Sequence, residues 1–370
     1  MKRKEIYVVL LSIALFFGML LLLVVVHELG HFLTARWLGI EVVEFGIGFP
    51  PRATTLFERQ GVRYTLNWLP IGGFVRFAGE DDPGRPDSLA AAPAWKRILV
   101  LIAGPGANLV LALLVFIGLY ATVGITATNG LHVKAVEEGS PASIAGIQAG
   151  DVVVAIADES FAPVQDARGL MRHLAATHAD TEVPVSIVRD GEEQTVQVIP
   201  TIGDSGVARF GVRYEPAEQV NVRLSPSDAV IAGITTCWDM LHRMVISLGA
   251  LLGDLVGLGE GTDDGKLAGP VGIARATGEI LEAGGLLAFT QWVALFSLNL
   301  FLLNLLPIPA LDGSHITFAL VEMLRGGKKL PPGREAFIHS LGFVALLGLM
   351  ALLSVSDINQ AVQGIRVLGE

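Results

Sequence analysis

The sequence predicts an α-helical polytopic membrane protein of four transmembrane helices, with a membrane-associated β-hairpin and an inserted α+β domain. Three observations predict it. Charged residues make up only 17% of the 370-residue chain and hydrophobic ones 52%, with a mean hydropathy of +0.57; an ordinary globular chain carries about 25% charge. Four uncharged apolar runs each reach the roughly 20 residues that cross a hydrocarbon core. Between the second and third runs lies a long, more polar segment with strand, turn and helix signals of its own.

The first run, Ile6 to Val26, follows the basic Met1-Lys2-Arg3-Lys4. A signal peptide has an apolar core of about 7–15 residues and then a small-residue cleavage site. This run is longer and continues in helical register into His27 and Glu28, so a retained span is expected. The second, Ile98 to Ile125, is interrupted by Gly104-Pro105-Gly106. The third is Ala283 to Leu311, and the fourth is Ala336 to Ser356 with His339 as its one ionisable group. The stretch Ala229 to Val256 is apolar too, but Asp239, His242, Arg243 and Asp254 break it, which suits a helix lying along the interface.

Lys and Arg in short loops mark the cytoplasmic side. The loop between the first two spans is basic from Arg36 to Arg97, and the last loop carries Arg325, Lys328, Lys329 and Arg334. These place residues 126–282 outside the cytoplasm. Lys2, Arg3 and Lys4 then oppose the rule and are outnumbered. The expected organisation is 1–126 (two spans and a hairpin loop), 127–215 (the inserted domain), 216–282 (an amphipathic linker) and 283–370 (the last two spans).

Within the inserted domain, 131–136 and 151–156 read as strands. Ser140-Pro141-Ala142 opens a short helix that Gly146 and Gly150 end. Residues 166–177 have helical spacing, with Leu170, Met171 and Leu174 on one side, and 183–188 with 194–199 form a hairpin around Asp190-Gly191. Residues 257–269 are rich in turn formers. The formal net charge of −10, with no basic patch, argues against a nucleic-acid partner. The single cysteine, Cys237, has no intramolecular partner and reads as a small buried or lipid-facing residue.

The chemistry concentrates in His27-Glu28-Leu29-Gly30-His31. Residues four apart share a helix face, so His27 and His31 can aim both imidazoles at one ion. Glu28 stands beside that ion without binding it, where a base takes a proton from the attacking water. Ionisable groups that close an apolar span are costly and mostly functional. A catalytic zinc needs a third protein ligand. His132, His173 and His178 fall in the inserted domain and His242 in the amphipathic stretch; His315, His339 and Asp312 lie nearer the membrane. Asp312 ends the third run as Asp312-Gly313, a pairing equally at home in a turn.

HELGH at 27–31 is followed by Pro70-Ile71-Gly72-Gly73-Phe74-Val75, Ala103-Gly104-Pro105 with Asn108, Gly269-Pro270-Val271-Gly272-Ile273, and NLLPIPALDG from Asn304 to Gly313. In this order and spacing the chain resembles the site-2 protease family of intramembrane zinc metalloproteases, in its bacterial regulated-proteolysis branch. The inserted domain resembles a PDZ domain, most of all from Ser140-Pro141-Ala142 to Gly150-Asp151. The resemblance implies that His27, His31 and Asp312 bind Zn2+ and that Glu28 is the catalytic base. It implies hydrolysis of peptide bonds within or near the transmembrane segment of a single-span substrate in the inner (plasma) membrane. Membrane-bound anti-sigma factors and signal-peptide remnants are examples. The active site would lie near the cytoplasmic side and the PDZ-like domain outside. Two departures stand out: Ser314 occupies a position usually held by a second glycine, and one PDZ-like domain is found where a pair is known in the branch.

A substrate helix must be unwound before its peptide bonds can be attacked, and unpaired backbone in lipid needs replacement partners. Val62 to Phe77, with Gly72 and Gly73, reads as a hairpin whose edge could pair with an extended substrate. Pro307 and Pro309 make the third span irregular just before Asp312, and the resemblance implies that they and Asn304 contact the unwound substrate. Asn108 is a candidate for a further hydrogen bond near the site. The competing reading is a membrane PDZ scaffold with a non-catalytic metal site, to which Glu28 would be of no use. A zinc transporter would be expected to show internal repeats, and the two halves show none.

Overall fold

A computed structural model of the chain describes residues 3–79, 88–128, 130–157, 159–160, 167–202, 208–217, 219–255, 268–328, 332–363, 365 and 367. Most of the turn-rich stretch 257–269 lies outside these. Two units are distinguished: Met1–Phe116 with Gly233–Glu370, and Ile117–Ala232. The helices are α1 (Arg3–Trp37), α2 (Ala94–Thr122), α3 (Pro141–Ile144), α4 (Ala167–Thr177), α5 (Pro226–Leu255), α6 (Pro270–Leu305), α7 (Asp312–Leu324) and α8 (Pro332–Val362). The strands are β1 (Val42–Arg59), β2 (Val62–Phe77), β3 (Ile125–Thr128), β4 (Leu131–Val136), β5 (Val152–Ile156), β6 (Glu159–Ser160), β7 (Val183–Arg189), β8 (Glu192–Val198), β9 (Thr201–Ile202), β10 (Ala208–Arg209), β11 (Val212–Pro216) and β12 (Gln219–Val222).

Five of the helices, α1, α2, α5, α6 and α8, are long and apolar enough to cross a membrane, where the sequence reading counts four. The additional one is α5, which runs unbroken through the stretch read as amphipathic. Asp239, His242 and Arg243 leave enough apolar length around them to meet the same criterion. Helices of this length and apolarity suit a multi-pass membrane protein. Its first unit buries Phe16, Met19 and Leu23 of α1 against Val293 of α6, and α6 turns sharply at Gly285 (φ 62°, ψ −154°). At the start of α6, the Gly272 N–H donates to the buried Asp357 of α8 at 2.7 Å. A helix leaves its first N–H groups without intrahelical partners, and here a carboxylate from a distant span takes one of them.

The third span ends differently from its expected form. Helix α6 stops at Leu305, residues 306–311 are irregular, and Asp312 is the first residue of α7. Neither Pro307 nor Pro309 can donate a helical hydrogen bond, so the break falls where expected. Asp312 therefore opens a new helix instead of terminating the old one.

The loop between α1 and α2 also corrects the sequence reading. Residues 62–77 do not fold back on themselves as a hairpin. Instead 42–47 pairs on one side with 62–66 and on the other with 73–77, while 52–59 pairs with 62–67. Each long strand bends midway and supplies two segments, so the order is 52–59, 62–67, 42–49, 69–77, antiparallel at the two outer pairings and with 44–47 and 63–66 running in the same direction between them. One carboxylate ties the four together. Glu44, 3% exposed, accepts hydrogen bonds from Arg52 Nη2 at 3.0 Å, Thr65 Oγ1 at 2.9 Å and Arg76 Nη1 at 3.0 Å. These come from the other three segments, one each. A buried charge is tolerated when its lone pairs are filled in this way.

In the second unit, β11, β4, β5, β7 and β8 form an antiparallel sheet in that order, with β6 beside β5. Leu131, Val133, Val153, Val185 and Ile187 pack with Met171 and Leu174 of α4, the helix face read from the sequence. Ser140 caps α3 by accepting the Ser143 N–H. Asp190 and Gly191 both have positive φ between β7 and β8, as a tight two-residue hairpin turn demands. Asp151, buried next to β5, accepts from Arg189 and from the Gln148 N–H. Burial alone would raise its carboxyl, but those donors hold it below the ordinary carboxylate value.

Candidate metal centre

Helix α1 continues well past the predicted span, to Trp37, and so carries HELGH entirely in helical conformation. The Nε2 atoms of His27 and His31 lie 3.1 Å apart, with their rings nearly perpendicular. Asp312 Oδ2 lies 3.0 Å from the first and 3.5 Å from the second. For zinc, with ligand bonds of about 2.0–2.1 Å, the corners of a tetrahedron are about 3.3 Å apart. The three atoms therefore stand as three corners of one.

Proton placement supports the same conclusion. His31 Nδ1 donates to the Val100 carbonyl of α2 at 2.8 Å, which leaves the neutral ring's lone pair on Nε2. That lone pair faces Asp312 Oδ2, a buried oxygen that accepts no hydrogen bond. Electron pairs converging without a proton between them repel, and a cation removes the conflict. The residues fit zinc.

Neighbouring elements fix this geometry. A Cβ at Gly104 would lie 2.2 Å from His31 Nε2, so the glycine on α2 is what makes room for the ring. Asn108 is fully buried, with its amide 3.3 Å from His27 Nδ1 and its Oδ1 otherwise unpartnered. Turning the amide over would present Oδ1 to a protonated Nδ1, the arrangement a metal-bound imidazole takes. The Asn108 carbonyl accepts from Ser297 Oγ of α6 at 2.7 Å. Val100 and Ser297 were not singled out from the sequence. A backbone acceptor leaves no mark there, and the signal for Ser297 is a hydroxyl inside an apolar span, which must find an acceptor.

Glu28 faces the sheet. The Val75 N–H points at its carboxylate, and a Cβ at Gly73 would lie 3.2 Å from its Cγ. The outer edge of segment 69–77 thus flanks the glutamate. Gly72 lies against the Phe49 ring instead. Asn304 is half-buried in the last turn of α6, Pro307 is exposed, and Pro309 packs on α8 at Gly342.

A sequence model of peptidase family M50 matches residues 15–349. The chain belongs to this family. As a member of peptidase family M50, the site-2 protease family, it is a membrane zinc metalloprotease. Its relatives include proteins provisionally named zinc metalloproteases. One from Agrobacterium fabrum is 32% identical over 94% of this chain and 95% of its own. One from Clostridium perfringens is 34% identical over 91% and 95%, and one from Nostoc sp. is 32% identical over 95% and 96%. Among solved structures, the PDZ domain of the SdrC-like protein of Listeria monocytogenes matches 23% of this M50 chain and 87% of its own, at 16% identity and a TM-score of 0.21.

Proposed function

We propose that this M50 protease hydrolyses peptide bonds in or beside the transmembrane segment of single-span membrane proteins, with zinc held by His27, His31 and Asp312. The observation that carries this reading is the convergence of those three ligand atoms, 3.0–3.5 Å apart, at the end of an apolar span. A zinc ion held there would supply Lewis acidity and make the attacking water a stronger acid. Glu28 takes the proton of the attacking water and returns it to the leaving amine. His31 is held in its tautomer by Val100, and Asn108 orients His27. Segment 69–77 offers its outer N–H and C=O groups to a substrate drawn out of helical form, so backbone groups lost from the substrate helix gain new partners by strand addition. Asn304 at the end of α6 and Pro307 in the link after it line the approach in this reading, with Gly72 and Gly73 on the sheet side.

The charge pattern of the loops favours an inner-membrane protein with its active site toward the cytoplasm and the sheet domain outside. Four spans then suffice, with α5 along the interface. That domain, PDZ-like in its antiparallel sheet and packed helix, would admit substrates by the size of what they carry outside the membrane. Deleting residues 127–215 should loosen selectivity toward substrates with bulky outer domains and spare short ones; loss of all cleavage would count against such a filter. The core test is purification in detergent, metal analysis, and cleavage of a model single-span substrate. About one zinc per chain and chelator-sensitive cleavage are expected. Zinc without cleavage of any membrane-embedded substrate would favour the scaffold reading.

A further inference from the structure

His315 of α7 and Glu335 and His339 of α8 bring possible ligand atoms within 4.8 Å of one another. The rings of His315 and His339 stack, with centroids 3.9 Å apart and planes inclined by 16°. A ring nitrogen's lone pair lies in the plane of its ring, so two stacked rings do not aim at one ion. The cluster serves a different purpose, visible on its other side.

His339 Nδ1 accepts the Ala310 N–H at 3.2 Å, with Ser314 Oγ 3.4 Å away. Ala310 has φ +76°, a left-handed conformation uncommon for a residue with a Cβ. It lies in the link that presents Asp312, two residues on. Within that link Pro307 and Pro309 have no N–H, while those of Ile308 and Leu311 bond to Leu306 and Ile308 carbonyls. The Ala310 N–H is the one directed at another helix. One turn further along α8, a Cβ at Gly342 would lie 2.2 Å from Pro309 Cβ, so α8 presses directly on the same link. The His339 ring is held by the stack on His315 and by the Phe318 ring, 5.5 Å away and edge-on. The Ser314 hydroxyl donates to the Leu311 carbonyl at 2.7 Å and fills the space beside Nδ1.

We infer that His339 is a positioning residue for Asp312: by accepting the Ala310 N–H it holds the left-handed turn that aims the carboxylate at His27 and His31. This rests on the reading of Asp312 as a zinc ligand. A backbone N–H at membrane depth needs a partner. Without His339, Ala310 relaxes toward negative φ and Asp312 swings away from the histidines.

The test uses the full-length protein in detergent, with apparent zinc affinity measured against a competing chelator and thermal melting followed on the metal-free form. His339→Leu should weaken zinc binding about tenfold or more. His339→Asn places an oxygen where Nδ1 was and should stay close to wild type; His339→Gln carries its acceptor one bond farther and should behave like Leu, serving in its place if the Leu variant does not fold. Ala310→Gly in the Leu or Gln background should restore affinity, because glycine adopts positive φ freely. Wild-type affinity in both His339→Leu and His339→Gln would overturn the inference. So would an Asn variant that falls as far as Leu, or a double variant that is not rescued. Asp312→Ala is the separate control: wild-type zinc affinity there would overturn the ligand assignment itself.

Discussion

Glu28→Gln should leave zinc bound and slow peptide hydrolysis by about 10²–10⁴-fold, the range contributed by a positioned general base. The amide keeps the shape of the carboxylate and can still accept from the Val75 N–H that faces it. It cannot take a proton from water. His27, His31 and Asp312 are untouched, so metal content should stay near wild type. Metal analysis paired with single-turnover cleavage checks both halves. Unchanged turnover would place the base elsewhere, and loss of zinc would give Glu28 a structural part in the metal site.

A second substitution should abolish the site without touching any ligand. Gly104→Ala places a Cβ 2.2 Å from His31 Nε2, closer than any two such atoms can stand. The ring cannot simply slide, because its Nδ1 is tied to the Val100 carbonyl of the same helix at 2.8 Å. Overpacking of this kind costs about 1–3 kcal/mol, and turning His31 out of the site relieves it. Zinc affinity should therefore fall by at least the 10–100-fold typical of losing a supporting contact, and cleavage with it. Gly106→Ala is the control: its Cβ would meet nothing within 4 Å, and both zinc content and activity should be retained. A Gly104→Ala protein with normal zinc would show that α2 can retreat from α1.

The two histidines were legible in the sequence because their relation is local: four residues on a helix determine a shared face. Asp312 was legible only as one of several candidates, since no periodicity connects it to α1; the ladder of motifs singled it out, and the fold brings it to 3.0 Å from His27. Strand-forming character in 62–77 was visible, but its partner was not. Residues 42–49, with Gly46 and Gly48 among them, were not singled out as strand, yet they form the middle of the sheet because they pair on both sides. In the second unit β4, β5, β7 and β8 were legible, since alternating burial along β4 and β7 and the Asp190-Gly191 turn are short-range signals, while β11, which pairs with the distant β4, was not read. For α5, charge placement suggested a helix along the interface, while length and overall apolarity also permit a crossing.

Because Glu44 clasps Arg76 of segment 69–77 as well as Arg52 and Thr65 of two other segments, the strand next to Glu28 is pinned to its neighbours in one register. A guest chain laid on it would meet a ruler whose marks do not slide. Alternate side chains of the guest would turn toward one face and the rest toward the other, and a slip of one residue would exchange the two sets. Preferences along such a guest should repeat at every second position, with the place of scission chosen by how far its helix can be drawn straight.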